Sequence, residues 1–85
     1  MFYVYVLQSS LTGERYTGST ENLAKRLAGH NAGLNHSTKH ARPWAIIYYE
    51  EFPTRSAAMR REKFLKSGQG REELKRILAN RDQRP

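Results

Sequence analysis

The sequence predicts a small α/β domain of the α+β kind: a three-stranded, mainly antiparallel sheet with helices packed on it, in the order β-β-α-β-α-α. Three observations carry that expectation. Phe2–Leu7 and Trp44–Phe52 are dense in aromatic and β-branched residues, which suit a pleated, half-buried surface. Apolar residues recur at helical spacing as Leu23, Ala24 and Leu27, as Ala57, Ala58, Phe64 and Leu65, and as Leu74, Ile77 and Leu78. Turn residues separate these runs, and packing helix stripes onto a sheet buries both economically.

Phe2 to Leu7 is apolar on both faces, as a buried strand should be. Ser9-Ser10-Leu11-Thr12-Gly13-Glu14 is turn material with Gly13 placed for a positive φ, and Arg15–Ser19 returns as the second strand of a hairpin. Thr20 is the expected N-cap of a helix that opens with Glu21 and fades at Gly29–Gly33. Residues 34–43 lack periodicity and read as a basic polar loop, where Pro43 biases Arg42 away from helical backbone. Trp44–Phe52 is the third strand. Thr54 should cap a helix from Arg55 to Lys66, Ser67-Gly68-Gln69-Gly70 should break it, and a last amphipathic helix follows. A single domain over residues 1–80 with a frayed tail at 81–85 is expected.

Composition narrows the function. Eighty-five residues allow one domain, and folding should hide roughly 64% of the surface that the unfolded chain exposes. Without cysteine neither a disulfide nor a Cys-ligated zinc can reinforce that modest core. A hydrophobic content of 38% excludes wholesale disorder. The net charge of +7 and pI near 10.2 point to a polyanionic partner. No stretch has the make-up of a secretion signal or a membrane span, so a cytoplasmic protein with no membrane partner is expected.

The charge is uneven. Residues 1–20 are neutral and 43–53 hold only Glu50 and Glu51, whereas 54–85 carry ten bases and four acids. The basic surface therefore belongs to the helices and the central loop.

Some polar residues stand out by position. At 100° per residue, Arg26 and His30 stack along one edge of the Leu23/Leu27 stripe. Glu62 falls at the border of its helix's apolar arc, where a carboxylate would be shielded from water yet reachable. The bland alternatives are a Glu62–Lys66 surface ion pair, a solvated Arg26/His30 flank, and strand-packing roles for Tyr3, Tyr5, Tyr16, Tyr48 and Tyr49. Arg61 lies inside the apolar arc, with its stem expected to snorkel along the core edge. His30, His36 and His40 lack the companion acid and fixed backbone of a zinc site.

Tyr3-Val4-Tyr5, followed after ten residues by Tyr16-Thr17-Gly18, resembles the paired signature of the GIY-YIG nuclease superfamily. The family's order continues with Arg26 and His30, with Thr38 ahead of Pro43-Trp44, and with Ala58, Glu62 and Lys66 at four-residue spacing. The resemblance covers nearly the whole chain and is closest to small stand-alone bacterial members. It implies a compact domain whose sheet presents Tyr5 and Tyr16 to activate the attacking water. It also implies that Arg26 steadies the phosphate and that Glu62 binds a single divalent metal, Mg²⁺ or Mn²⁺. His30 matches a histidine near the active site in several members. Departures are Tyr3 for the first glycine, Val4 and Thr17 for isoleucines, and Glu72-Glu73-Leu74-Lys75 where many relatives carry an asparagine.

The residue types suit the chemistry. Phosphodiester hydrolysis needs an activated water and charge neutralisation at the phosphorus. A lone carboxylate is a partial ligand of the kind Mg²⁺ or Mn²⁺ accepts, and Arg26 stays charged and grips two oxygens. Tyrosine, with an ordinary pKa of about 10, is a poor base unless its surroundings lower it, which makes His30 a rival. The expectation is a metal-dependent endonuclease acting on nucleic acid, DNA first, with little sequence preference, either structure-directed or in repair and recombination. His36, Thr38, Lys39, His40 and Arg42 in the loop, and Arg55, Arg60, Lys63, Lys66, Arg71 and Lys75 on the helices, would contact phosphates, and a protein partner would supply any specificity. Two other readings stay open: a non-catalytic DNA- or RNA-binding module, and a protein-interaction module using Tyr48, Tyr49 and the last helix.

Overall fold

A computed structural model describes residues 1–82 of the chain, with side chains through Asn80. Strand β1 (Phe2–Ser9) turns back into β2 (Arg15–Thr20). Then come α1 (Leu23–Asn31), a 3₁₀ turn at Lys39–Ala41, β3 (Trp44–Phe52), α2 (Arg55–Leu65) and α3 (Gly68–Asp82). The sheet is antiparallel with strand order β2-β1-β3. Element order and fold class are those expected from the sequence.

The apolar character of β1 on both faces explains its central place. Val4 and Val6 pack with Ala58, Leu65, Leu74 and Leu78 of α2 and α3, whereas Tyr5 and Leu7 pack with Ala41 and Trp44, flanked by Leu23 and Leu27 of α1. Alternation along one strand thus builds two cores, and each fully buried Val or Leu side chain contributes roughly 1.5–3 kcal/mol.

Several local expectations are corrected. Asn22, not Thr20, caps α1, accepting from Lys25 N at 3.0 Å. Thr20 Oγ1 instead accepts from Asn22 N at 3.2 Å, a turn one step earlier. Thr54 caps α2 as expected, accepting from Ala57 N at 3.1 Å. The break between the last two helices shrinks to Lys66 and Ser67, and α3 begins at Gly68. Ser67 Oγ accepts from Gly70 N at 3.2 Å and donates to Phe64 O at 2.5 Å, capping one helix and closing the other. Gly70 therefore belongs to the first turn of α3. A Cβ there would lie 1.8 Å from Phe64 O, so only glycine lets α3 start this close to α2. The apolar arc of α2 is narrower than read, because Ala58 and Leu65 are buried while Phe64 is 37% exposed.

Arg61 has a specific role. Its Nε and Nη2 bind the two oxygens of Glu50 at 2.8 and 3.0 Å, and its Nη1 binds Glu73 Oε2 at 3.0 Å. One guanidinium thereby joins α2, β3 and α3, and Tyr48 donates to the same Glu50 carboxylate. Burial alone would raise the Glu50 pKa, but the hydrogen bonds from Arg61 and Tyr48 hold it below its usual value. Among the described residues no helix is long and apolar enough to cross a membrane. Of the tail expected to fray, α3 continues to Asp82, and residues 83–85 lie outside the described residues.

Candidate active site

The hairpin register positions the two signature tyrosines. Tyr5 pairs with Gly18 and Leu7 pairs with Tyr16, so Tyr5 and Tyr16 share one face, with ring centroids 6.3 Å apart. Gly18 leaves the space that the Tyr5 phenol fills: a Cβ there would sit 2.5 Å from the Tyr5 hydroxyl and 3.1 Å from the Tyr16 ring.

Helix α1 brings the next two residues onto that face. Arg26 Nε donates to the Tyr5 hydroxyl at 3.2 Å, and His30 Nε2 lies 3.1 Å from the same oxygen. Behind it, His30 Nδ1 is 2.8 Å from Thr38 Oγ1, which reaches the Asn35 carbonyl at 3.4 Å. Tyr5, His30 and Thr38 are each 1% exposed, so each needs a partner for every polar hydrogen. One proton order, assigned from the network, satisfies them all. Arg26 N–H donates to Tyr5, Tyr5 O–H to His30 Nε2, His30 Nδ1–H to Thr38, and Thr38 O–H to the Asn35 carbonyl.

Electrostatics keeps this chain neutral apart from the arginine. Burial pushes the Tyr5 phenol above its ordinary pKa, against the opposing pull of Arg26. Burial, and then the Arg26 charge, push His30 below its ordinary value. The hydrogen bond to Tyr5 is the largest influence holding Arg26 protonated.

Glu62 approaches from α2, on the opposite side of β2. Ser19 follows Gly18 and pairs with Val4, so its side chain turns to the α2 face. There Ser19 Oγ donates to Glu62 Oε1 at 2.7 Å, and Lys66 Nζ donates to Oε2 at 2.6 Å. Burial would raise the Glu62 pKa, but the hydrogen bonds from Lys66 and Ser19, with the charges of Lys66 and Arg26, hold it below the usual carboxylate value. The Glu62 charge in turn acts on Tyr5. The two halves of the site therefore sense each other around β2.

A groove of about 1220 Å³ runs along α1, lined by Ser19, Lys25, Arg26, His30, His36 and Arg55 among others. His36 and Arg26 both line this groove. Lys39, His40 and Arg42 are exposed around the 3₁₀ turn, with His40 paired to Glu14 at 3.2 Å and Arg42 Nε donating to Lys39 O at 2.9 Å. Lys63 is exposed on α2, and Lys66 lies against Glu62. Thr38 requires a correction: it is buried behind His30 and holds that ring, so nucleic acid does not reach it. Nor is His30 part of a solvated helix flank. Sequence reasoning missed Ser19 and Gly18 as parts of the site, and their only signal was their place within and beside Tyr16-Thr17-Gly18.

The chain is similar to small bacterial proteins along nearly its full length. It is 41% identical over 76 residues to the UPF0213 protein SH2523 of Staphylococcus haemolyticus, covering 88% of this chain and 92% of that one. It is 38% identical over 78 residues to the UPF0213 protein SpyM50708 of Streptococcus pyogenes, covering 91% and 84%. The solution NMR structure of the UPF0213 protein BH0048 from Bacillus halodurans matches with a TM-score of 0.54 at 31% identity, over 91% of this chain and 85% of that one. The family profile of the GIY-YIG catalytic domain matches residues 1–75. With the tyrosine hairpin, the α1 arginine and the α2 glutamate all in place, the chain belongs to the GIY-YIG catalytic domain family, a family of nuclease type.

Proposed function

We propose that this protein is a divalent-metal-dependent endonuclease that hydrolyses phosphodiester bonds in DNA with little sequence preference. The observation that carries the reading is the convergence around β2 of a Tyr5–His30 hydrogen bond, the Arg26 guanidinium and the Glu62 carboxylate.

Glu62 fits a hard cation. Its side chain is 22% exposed, and its carboxylate stands beside the Ser19 hydroxyl. Among the described residues no three His, Cys, Asp or Glu side chains gather. A one-carboxylate site suits Mg²⁺ or Mn²⁺, which complete their shells with water and substrate oxygens. When bound, such an ion would supply positive charge beside the phosphate as its own charge grows.

The chain's own groups do the rest. Arg26 is exposed and can hold two phosphate oxygens with its terminal nitrogens. Tyr5 O takes the proton of the attacking water while passing its own to His30 Nε2, which is neutral and free to accept near pH 7. Thr38 keeps the Nδ1–H of His30 pointed away, leaving Nε2 for Tyr5. The groove along α1 offers Lys25, His36 and Arg55 to the backbone. Phosphate contacts of this kind position DNA without reading its sequence.

The deciding experiment is nicking of a supercoiled plasmid with Mg²⁺ or Mn²⁺. Glu62→Ala and Arg26→Ala are each expected to slow nicking by about 100-fold or more. Parent-like rates in either would overturn the reading. A second reading, a non-catalytic nucleic-acid-binding module, draws on the Lys66 ammonium already seated on Glu62. It predicts metal-independent binding, weakening with salt by about 0.9 log units per log unit for each duplex phosphate contacted.

A further inference from the structure

Glu62 is held on both oxygens by side chains of this chain, Ser19 on Oε1 at 2.7 Å and Lys66 on Oε2 at 2.6 Å. Lys66 differs from an ordinary surface lysine paired one turn along a helix. The carboxylate it meets is mostly buried and anchored from β2, so the ammonium faces a fixed, partly desolvated charge. Lys66 is also the C-cap residue of α2, and its backbone N–H bonds to Glu62 O at 3.1 Å, so its side chain starts from a set point. Its Nζ lies 5.9 Å from the centre of the Tyr16 ring, within the site. About half of the Lys66 side chain is open to solvent, which gives it room to swing away.

We propose that Lys66 is a built-in competitor for the divalent ion at Glu62, a role that rests on reading Glu62 as the metal ligand. Ser19 occupies Oε1 and the Lys66 ammonium occupies Oε2, so an ion approaching this carboxylate meets a like charge on one side, and Lys66 is the partner it displaces. A ligand that must displace an intramolecular occupant binds more weakly in proportion to how fully the occupant holds the site. Lys66 therefore holds the carboxylate in position while limiting how tightly it takes up metal.

The test is a Mn²⁺ titration of the full chain, following free Mn²⁺ by electron paramagnetic resonance. Lys66→Met is expected to tighten Mn²⁺ binding by about two- to fivefold, the size expected for releasing one partly exposed ion pair. Lys63→Met removes an equal charge at the residue next to Glu62 and should change affinity by less than about twofold. An unchanged or weaker affinity in Lys66→Met overturns the proposal, as does equal tightening in Lys63→Met. Glu62→Gln, alone and with Lys66→Met, separates the two levels. If it abolishes binding while Lys66→Met has no effect, only the competition fails. If it titrates like the parent, the ion is not on Glu62 and both readings fail. A second measurement needs no variant. The ¹⁵N ammonium signal of Lys66 should be protected from exchange in EDTA and lose that protection at saturating Mg²⁺, and persistence at saturation overturns the proposal.

Discussion

The Tyr5 hydroxyl lies 3.1 Å from Nε2 of His30, twenty-five residues further along the chain, and neither residue is more than 1% exposed. In the proposed relay the histidine acts on the attacking water through the tyrosine hydroxyl, the atom that it shares with Arg26. Because burial and Arg26 hold its pKa below the ordinary value of 6.5, Nε2 is a free acceptor at neutral pH and is blocked only in acid. Nicking rates should be flat through neutrality and fall below about pH 6.5. His30→Asn should lower the rate by about 100-fold with Arg26-dependent DNA binding retained. A pH–rate profile whose acid limb is centred above neutrality would contradict this assignment.

Thr38 takes the far side of the same ring. Thr38→Val removes the oxygen that receives His30 Nδ1–H and leaves a buried donor unpaired, at a cost of about 1–3 kcal/mol. Thermal unfolding should show the loss, and Thr38→Ser, which keeps the hydroxyl, should restore most of it. Equal stability in all three proteins would mean that the bond holds nothing in place.

Gly18 is required by contact rather than by backbone conformation. Its φ is not in the left-handed region, yet an added Cβ would meet the Tyr5 hydroxyl at 2.5 Å and Tyr5 Cζ at 2.8 Å. Tyr5 is pinned by Arg26 and His30, so it has little freedom to yield. Gly18→Ala should destabilise the fold by about 1–3 kcal/mol and shift the His30 ring ¹⁵N resonances as the Tyr5 bond breaks. A parent-like spectrum would refute that account.

The Arg61–Glu50 pair should govern acid stability. The folded-state pKa of Glu50 is below its ordinary value of 4.5, so its contribution is complete above that value. It is lost as pH falls from there through the folded pKa, because the unfolded chain takes up its proton first. Arg61→Met leaves a carboxylate side chain only 19% exposed without its guanidinium. The expected loss is about 2 kcal/mol, or roughly 10 °C in Tm for a domain this small. Glu50→Gln should flatten the acid limb of the stability curve, and urea unfolding between about pH 3 and 6 measures both effects.

Much of this was legible from the chain alone. A run that is apolar on both faces marks a central strand, and β1 is central. Thr54 capped its helix because a cap is a local matter of one side chain and an amide three residues on. Where two candidate caps stood close together, at Thr20 and Asn22, local rules could not choose between them. Gly68 and Gly70 read as a break because glycine is a poor helix former, and the close approach of α3 to α2 overrode that propensity.

The sequence by itself determined the element order and the fold class and carried the family's motif residues, because periodicity, turn residues and motif spacing are properties of neighbours along the chain. Tertiary structure alone decided what those residues touch. The hairpin register set Tyr5 against Gly18, the packing of α1 buried His30 behind Tyr5 and placed Thr38 behind both, and α2 brought Glu62 to Ser19 from the other face. It also turned Arg61 from a misplaced charge into the link between β3, α2 and α3. Such contacts join residues up to 43 positions apart, as Ser19 to Glu62 does. Their geometry follows from how the layers stack, which no local pattern encodes.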